Sequence, residues 1–333
     1  MQPAVAQPSA VLASTGLAST GLGPHAEGPG APAAPFSLSS AAAGFARLPP
    51  TVLLLLAIVA VQLGGALASF VFSSLRPVGV TFASALFSAV LLTLFGRPQS
   101  MLRGSRSLLR RHWGLILAYG AVNIALALPY YLALERIPLG ILATITFLGP
   151  LGLAVVTSRR FVHFLWIGIA GFGVALLTPE IGTIGEGGLD ALGLFYAAIA
   201  GVAWAGFVIL SKRTGAIFPG TDGLTLALWV ESVVLLPAAL IEGSIQQAGF
   251  AGIAGALGVA LLGTILPLVL EFQALRQMSA RTYGILVTLE PAIGALVGVI
   301  LLSQPAGLRM VIAVTCVTLA ALGVTLSDRR DSR

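Results

Sequence analysis

Three glutamates stand inside or at the edge of long apolar runs, where an ionisable side chain is costly and becomes a functional candidate. Glu290 directly precedes Pro291, deep within the run 282–302. Loss of water at that depth disfavours charge, which suits a carboxyl group that takes up and releases a proton in an exchange cycle. The other reading is a structural glutamate, protonated or hydrogen-bonded in place. Glu231 lies at similar depth in the run 222–241 and admits both readings equally. Glu271 closes the run 251–271 shortly before Arg276, a spacing that first suggests an interfacial ion pair.

Around these acids lies a set of uncharged polar residues: Gln62, Asn123, Tyr130, Tyr131, Thr144, Thr146 and Thr288. Amides, hydroxyls and one carboxylate together supply the donors and acceptors that a zwitterionic amino acid requires. Any single threonine can equally bond a carbonyl of its own helix. Catalysis finds no comparable support. His25, His112 and His163 form no HExxH, and no Ser/His or Asp/Asp pair falls at intramembrane depth. Cys316 is the only cysteine, which excludes a disulfide framework and a CxxC metal site. Gly168, Gly171 and Gly173, and the Gly294–Gly298 pair, are spaced for close helix packing, and no Lys-Ser/Thr follows to make a phosphate loop. The expectation is therefore a protein that is not an enzyme, with no cofactor and no metal.

The elements that position these residues follow from composition. Hydrophobic residues make up 57% of the 333 and charged residues 9%, with mean hydropathy +0.99. A water-facing surface needs far more charge, so most of this surface must meet lipid. The net charge of +6 is scattered in small groups between apolar runs, which suits an anionic membrane face and excludes a nucleic-acid patch. Ten runs are long enough to span a bilayer: 50–72, 77–96, 112–134, 138–158, 161–178, 191–211, 222–241, 251–271, 282–302 and 307–326. Ser158, Arg159 and Arg160 mark the tight boundary between the fourth and fifth runs. Ten-residue alternation is absent, which excludes a β-barrel.

Residues 1–48 are rich in Ala, Pro, Gly and Ser and lack a signal peptide's basic start and compact apolar core, so they are expected to form a disordered cytoplasmic tail. Basic residues then set the orientation. Arg47, the 97–111 group, Arg159 with Arg160, Lys212 with Arg213, Arg276 with Arg281, and Arg329, Arg330 and Arg333 fall on one side. Arg76, Arg136 and Arg309 fall on the other. The positive-inside bias predicts both termini in the cytoplasm of an inner-membrane protein.

An internal repeat refines this topology. Residues 133–150, ALERIPLGILATITFLGP, align without a gap to 274–291, ALRQMSARTYGILVTLEP, matching Ala133 with Ala274, Leu148 with Leu289 and Pro150 with Pro291. Five runs per half is an odd number, so the halves 49–178 and 189–326 cross in opposite senses, leaving 327–333 as a cytoplasmic end. The fold class predicted is an all-α membrane protein of ten transmembrane helices in two inverted five-helix repeats, a transporter architecture with its site between the halves. Pro150 and Pro291 become matched cavity-lining bends.

Three segments, VQLGGALASFVF at 61–72, IPLGILATITFLGPLGLAVVTSRR at 137–160 and TILPLVLEFQALRQMSARTYGILVTLEPAIGALVG at 264–298, carry a family resemblance. The chain over about 50–328 resembles the EamA-type branch of the drug/metabolite transporter superfamily, and within it the bacterial threonine/homoserine exporters. Pro267, Glu271, Arg281, Thr282, Gly284, Glu290 and Pro291 fall where that pattern has them. The resemblance implies efflux from the cytoplasm by alternating access, driven by the proton gradient. The pattern commonly has basic residues where this chain has Ser69 and Ser84, and it can carry a carboxylate where this chain has Thr146. The expected partners are a small-molecule substrate, protons and the lipid bilayer, with no nucleic acid; a homodimer is compatible with the sequence. An amino-acid or related metabolite exporter leads. Drug or lipophilic-cation export, and a non-transporting sensor or assembly subunit, are the alternatives.

Overall fold

The computed structural model describes residues 48–95, 105–157, 162–175, 190–218, 221–278, 283 and 286–327. The expected tail lies outside this set except for its last residue, as do Ser158, Arg159, Arg160, Arg281, Thr282, Gly284 and the end 328–333. Among the described residues every regular element is helical. In chain order these are α1 (Pro50–Phe95), α2 (Ser105–Leu134), α3 (Leu139–Thr157), α4 (Val162–Ala175), α5 (Ala191–Gly215), α6 (Asp222–Ile241) and α7 (Ser244–Gln247). Then come α8 (Phe250–Ala260), a π-turn (Leu261–Ile265), α9 (Leu266–Gln277), α10 (Glu290–Leu302) and α11 (Leu308–Ser327). A helix satisfies its own backbone polar groups, which is the condition for crossing hydrocarbon.

Among the described residues five helical stretches are long and apolar enough to cross a membrane: Pro50–Phe95, Arg110–Leu134, Ala191–Gly215, Asp222–Ile241 and Phe250–Glu271. Shorter apolar helices occupy Leu139–Leu153, Glu290–Leu302 and Leu308–Gly323. The 46 residues of α1 would reach about 69 Å if straight, more than twice a hydrocarbon core. They are not straight. Arg76 takes φ 49 and ψ 165 just before Pro77, breaking α1 into two arms, 50–75 and 77–95. The sequence placed Arg76 in a loop; the loop is this single non-helical residue.

Helices α3 and α10, α4 and α11, and the second arm of α1 and α6 pack in antiparallel pairs. Gly140 meets Ala295 while Ala143 meets Gly294; Trp166 meets Gly323 while Gly173 meets Ala313 and Cys316. Leu92 clusters with Leu228, and Phe82 with Leu235 and Ala239. The first arm of α1 runs antiparallel to α8, with Leu75 by Gly252, Val71 by Gly255 and Leu67 by Gly258. At Gly64 the backbones cross so closely that a methyl group would come 2.7 Å from the Gly263 nitrogen in the π-turn. Only glycine fits that crossing.

The largest core cluster joins Ala66, Val71 and Leu75 of α1 to Leu139 and Leu142 of α3, Ala197 of α5, Val259 of α8 and Val297 of α10. Outward, large apolar side chains stay uncovered, with Phe70 62%, Val202 75% and Ile300 65% exposed. An apolar exterior on this scale suits contact with lipid tails. One ion pair ties the ends of α2 and α5 at the protein's edge: Arg136 Nη1 donates to Asp190 Oδ2 at 2.8 Å. Asp190 also caps α5 through the Leu192 and Gly193 amides. The Arg136 hydrogen bond and then the Leu192 amide hold the Asp190 carboxyl below its usual range, while that same bond raises the Arg136 guanidinium.

Candidate functional site

Glu290 opens α10 rather than sitting inside a longer helix. Thr288 and Leu289 form a turn, and Pro291 occupies the first helical turn, where its missing N–H costs nothing. The sequence reading placed Pro291 as a bend within a continuous run, equivalent to Pro150. The structure differs at this point. Pro150 is carried inside an unbroken α3, whereas the chain is interrupted just before Pro291. The interruption sets a carboxyl group against the positive end of a helix dipole within the protein interior.

Gln62 comes from the first arm of α1, 1% exposed, and its Nε2 donates to Glu290 Oε1 at 3.5 Å. Its Oε1 is buried without a hydrogen-bond partner. Gly294 makes room for that amide: a methyl group there would lie 2.8 Å from Ala143 Cβ and 3.0 Å from Gln62 Oε1. Glu271, from α9, lies within electrostatic reach of Glu290. Tyr283 stands beside Glu271 and senses both acids, and Tyr130 of α2 also reaches the field of Glu290. Gln62, Tyr130, Glu271, Tyr283 and Glu290 thus form one cluster drawn from both halves of the chain. Arg276, the partner first expected for Glu271, has its side chain outside the described set.

Glu231 belongs to a second group. It sits midway along the unbroken helix α6, 3% exposed, within electrostatic reach of Tyr131. Tyr131 lies beside Ser84 and packs edge-on with Phe72 and Tyr130. Asn123, Thr144 and Thr146 bond within their own helices. Asn123 Nδ2 donates to the Tyr119 carbonyl at 3.1 Å, and Thr146 Oγ1 donates to the Leu142 carbonyl at 2.8 Å and the Ala143 carbonyl at 3.2 Å. Thr144 does the same to the Gly140 carbonyl. Among the described residues no group of three or more His, Cys, Asp or Glu could hold a metal.

Tyr283 and Phe72 escaped the sequence reading. Tyr283 could have been found from its hydroxyl within the same run as Glu290. Phe72 had no signal, because one aromatic in a lipid-facing run looks like any other.

Residues 191–326 match the EamA-like transporter family. The threonine/homoserine exporter RhtA of Escherichia coli strain K12 is 29% identical over 284 residues, covering 85% of this chain and 94% of the relative. The exporter of the same name from Salmonella typhimurium strain SL1344 is 29% identical over 282 residues, covering 85% and 93%. A solved crystal structure superposes with TM-score 0.55 at 18% identity, covering 84% of this chain and 98% of its own, a likeness of fold alone. These relatives are named exporters, and five of the described apolar helices are of membrane-spanning length. Over residues 191–326 the chain is thus similar to the EamA-like transporter family, and over most of its length to threonine/homoserine exporters.

Proposed function

We propose that the protein is an inner-membrane exporter of threonine- or homoserine-like amino acids or related small metabolites, working by alternating access with proton uptake and release at Glu290. The observation that carries this reading is the Gln62–Glu290 hydrogen bond, a link between residues 228 apart that joins one half of the chain to the other. In an inverted repeat the halves rock against each other about a central site. A carboxyl group at that seam changes its partners when it changes charge. Protonated, Glu290 no longer needs the Gln62 amide as a donor and becomes a donor itself.

The ten-span inverted arrangement, with both termini in the cytoplasm, belongs to the same proposal. An odd number of spans per half requires equivalent helices to run in opposite directions. The antiparallel pairing of α3 with α10, of α4 with α11 and of the second arm of α1 with α6 supports it. The exporter names of the relatives support the cargo class.

A drug or lipophilic-cation exporter is the second reading, favoured by the Phe72–Tyr131–Tyr130 aromatic group. Reconstitution in proteoliposomes under an imposed pH gradient separates these readings. Flux of L-threonine or L-homoserine that follows the gradient and is lost in Glu290→Gln is the expected result. Flux of tetraphenylphosphonium alone selects the second reading, and unchanged flux in Glu290→Gln removes that residue from the coupling step.

A further inference from the structure

We propose that Glu231, Tyr131, Phe72 and Ser84 form a subsite for the primary ammonium group of the transported molecule, separate from Glu290. Only the word "transported" rests on the exporter reading; binding of the ammonium group stands or falls alone.

Glu231 is 3% exposed, and among the described residues neither a hydrogen bond nor an ion pair reaches its carboxyl group. A buried carboxylate is costly to keep without a counter-charge. Helix α6 packs against the second arm of α1, against α2, and more lightly against α5 and α7. The described basic residues on or beside these elements are Arg76 at the α1 break, Arg110, Arg111 and His112 near the start of α2, Arg136 just past its end, and Lys212 and Arg213 in the last turn of α5. All stand at element ends or at the break, while Glu231 is central in its helix. The protein supplies a buried carboxyl group midway along α6 and no described cation at that level.

The neighbours fit a cation that carries N–H donors. Tyr131 and Phe72 pack with ring centroids 6.3 Å apart at 80°, and Tyr130 and Tyr131 at 5.6 Å and 83°. Aromatic faces attract ammonium groups, most strongly where water is excluded. Ser84 Oγ gives its own proton to the Thr81 carbonyl at 3.1 Å and is hydrogen-bonded to the Tyr131 hydroxyl, which leaves it one lone pair for a further donor. A primary ammonium has three N–H bonds to place. Glu231 on α6, Ser84 on the second arm of α1 and Tyr131 on α2 offer three acceptor groups linked through Tyr131, which bonds Ser84 and feels the charge of Glu231. A quaternary cation would leave all three unused.

The direct test is ligand titration of purified wild-type protein and Glu231→Gln by calorimetry, without any gradient. The probes are L-threonine, L-homoserine and 2-aminoethanol, with N-acetyl-L-threonine as the partner lacking an ammonium group. At least one ammonium probe should bind the wild type, N-acetyl-L-threonine should not, and Glu231→Gln should weaken binding by at least about tenfold. Equal binding by Glu231→Gln, equal binding of the N-acetyl compound, or no binding of any ammonium probe to the wild type overturns the subsite. A second measurement needs no variant. Dicyclohexylcarbodiimide labelling of the wild type, read by mass spectrometry, should modify Glu231 and be blocked by the bound ammonium probe. Labelling that the bound probe leaves unchanged also overturns the proposal. Binding is read without a gradient and proton coupling only with one, so failure of the proton-coupling reading and failure of the subsite give different results.

Discussion

Glu290 and Glu231 are both interior carboxyl groups, yet their surroundings differ in kind. Glu290 starts a helix after a break, takes a hydrogen bond from Gln62 in the other half, and shares its field with a second acid, Glu271. Glu231 lies in an intact helix within electrostatic reach of Tyr131, with no described hydrogen-bond or ion-pair partner of its own. A carboxyl group beside a donor amide and another acid is arranged to change charge. One without a donor amide or a second acid is arranged to pair with a cation that arrives. Depth in an apolar run alone could not separate them; their neighbours do.

The sharpest way to break this contrast is to neutralise each acid in turn. Glu290→Gln is expected to lower pH-driven flux by about a hundredfold while ligand affinity changes little. Glu231→Gln should lower affinity, and with it flux at low substrate. If both variants lose affinity equally, the two acids form one site and the contrast dissolves. Tyr131→Phe and Phe72→Leu probe the aromatic side, with a loss of about three- to tenfold in ammonium binding and no effect on the response to the gradient. Gly294→Ala probes the other side. Its new methyl group would press on Ala143 and Gln62, destabilising by about 1–3 kcal/mol and disturbing the Glu290 cluster alone. Thermal unfolding with and without ligand reads both parts.

The smallest effect is expected at a third acid that serves as a surface reference. Asp190 is held below the usual carboxyl range by Arg136 and the Leu192 amide. Its contribution is therefore complete above the ordinary carboxyl range and is lost as pH falls through the lowered value. Arg136→Ala should flatten the acid side of the unfolding profile slightly, without touching flux. A change in flux would mean that this edge pair is part of the transport cycle.

Much of this was legible in the chain. The membrane class, the apolar runs and all three interior glutamates follow from charge scarcity and hydropathy, because lipid imposes those patterns on every exposed turn of helix. The pairing of Glu290 with Gln62 was not legible, although both residues were singled out. Their contact depends on how two helices cross, and a Gly294 methyl's worth of space decides it. The interruption at Thr288–Leu289 was hidden as well, since a Pro reads alike whether it bends a helix or begins one. Asn123 and Thr146 looked like ligand contacts by type, but each is met by a carbonyl of its own helix, the commoner outcome for such side chains.

The π-turn at Leu261–Ile265 has a consequence for aim. Each residue advances an α-helix by about 100°, so one extra residue in a turn rotates everything beyond it by that amount. Upstream, Gly252, Gly255 and Gly258 lie against the first arm of α1, and downstream Leu270 and Ala274 lie against it again through Leu53, Leu54, Ala57 and Ile58. Without the extra residue, Glu271 would swing by about 100° around its helix, off its present line toward Glu290. The π-turn is an angular shim: deleting one residue from it would leave every side chain of α9 in place in the sequence and point its acid the wrong way.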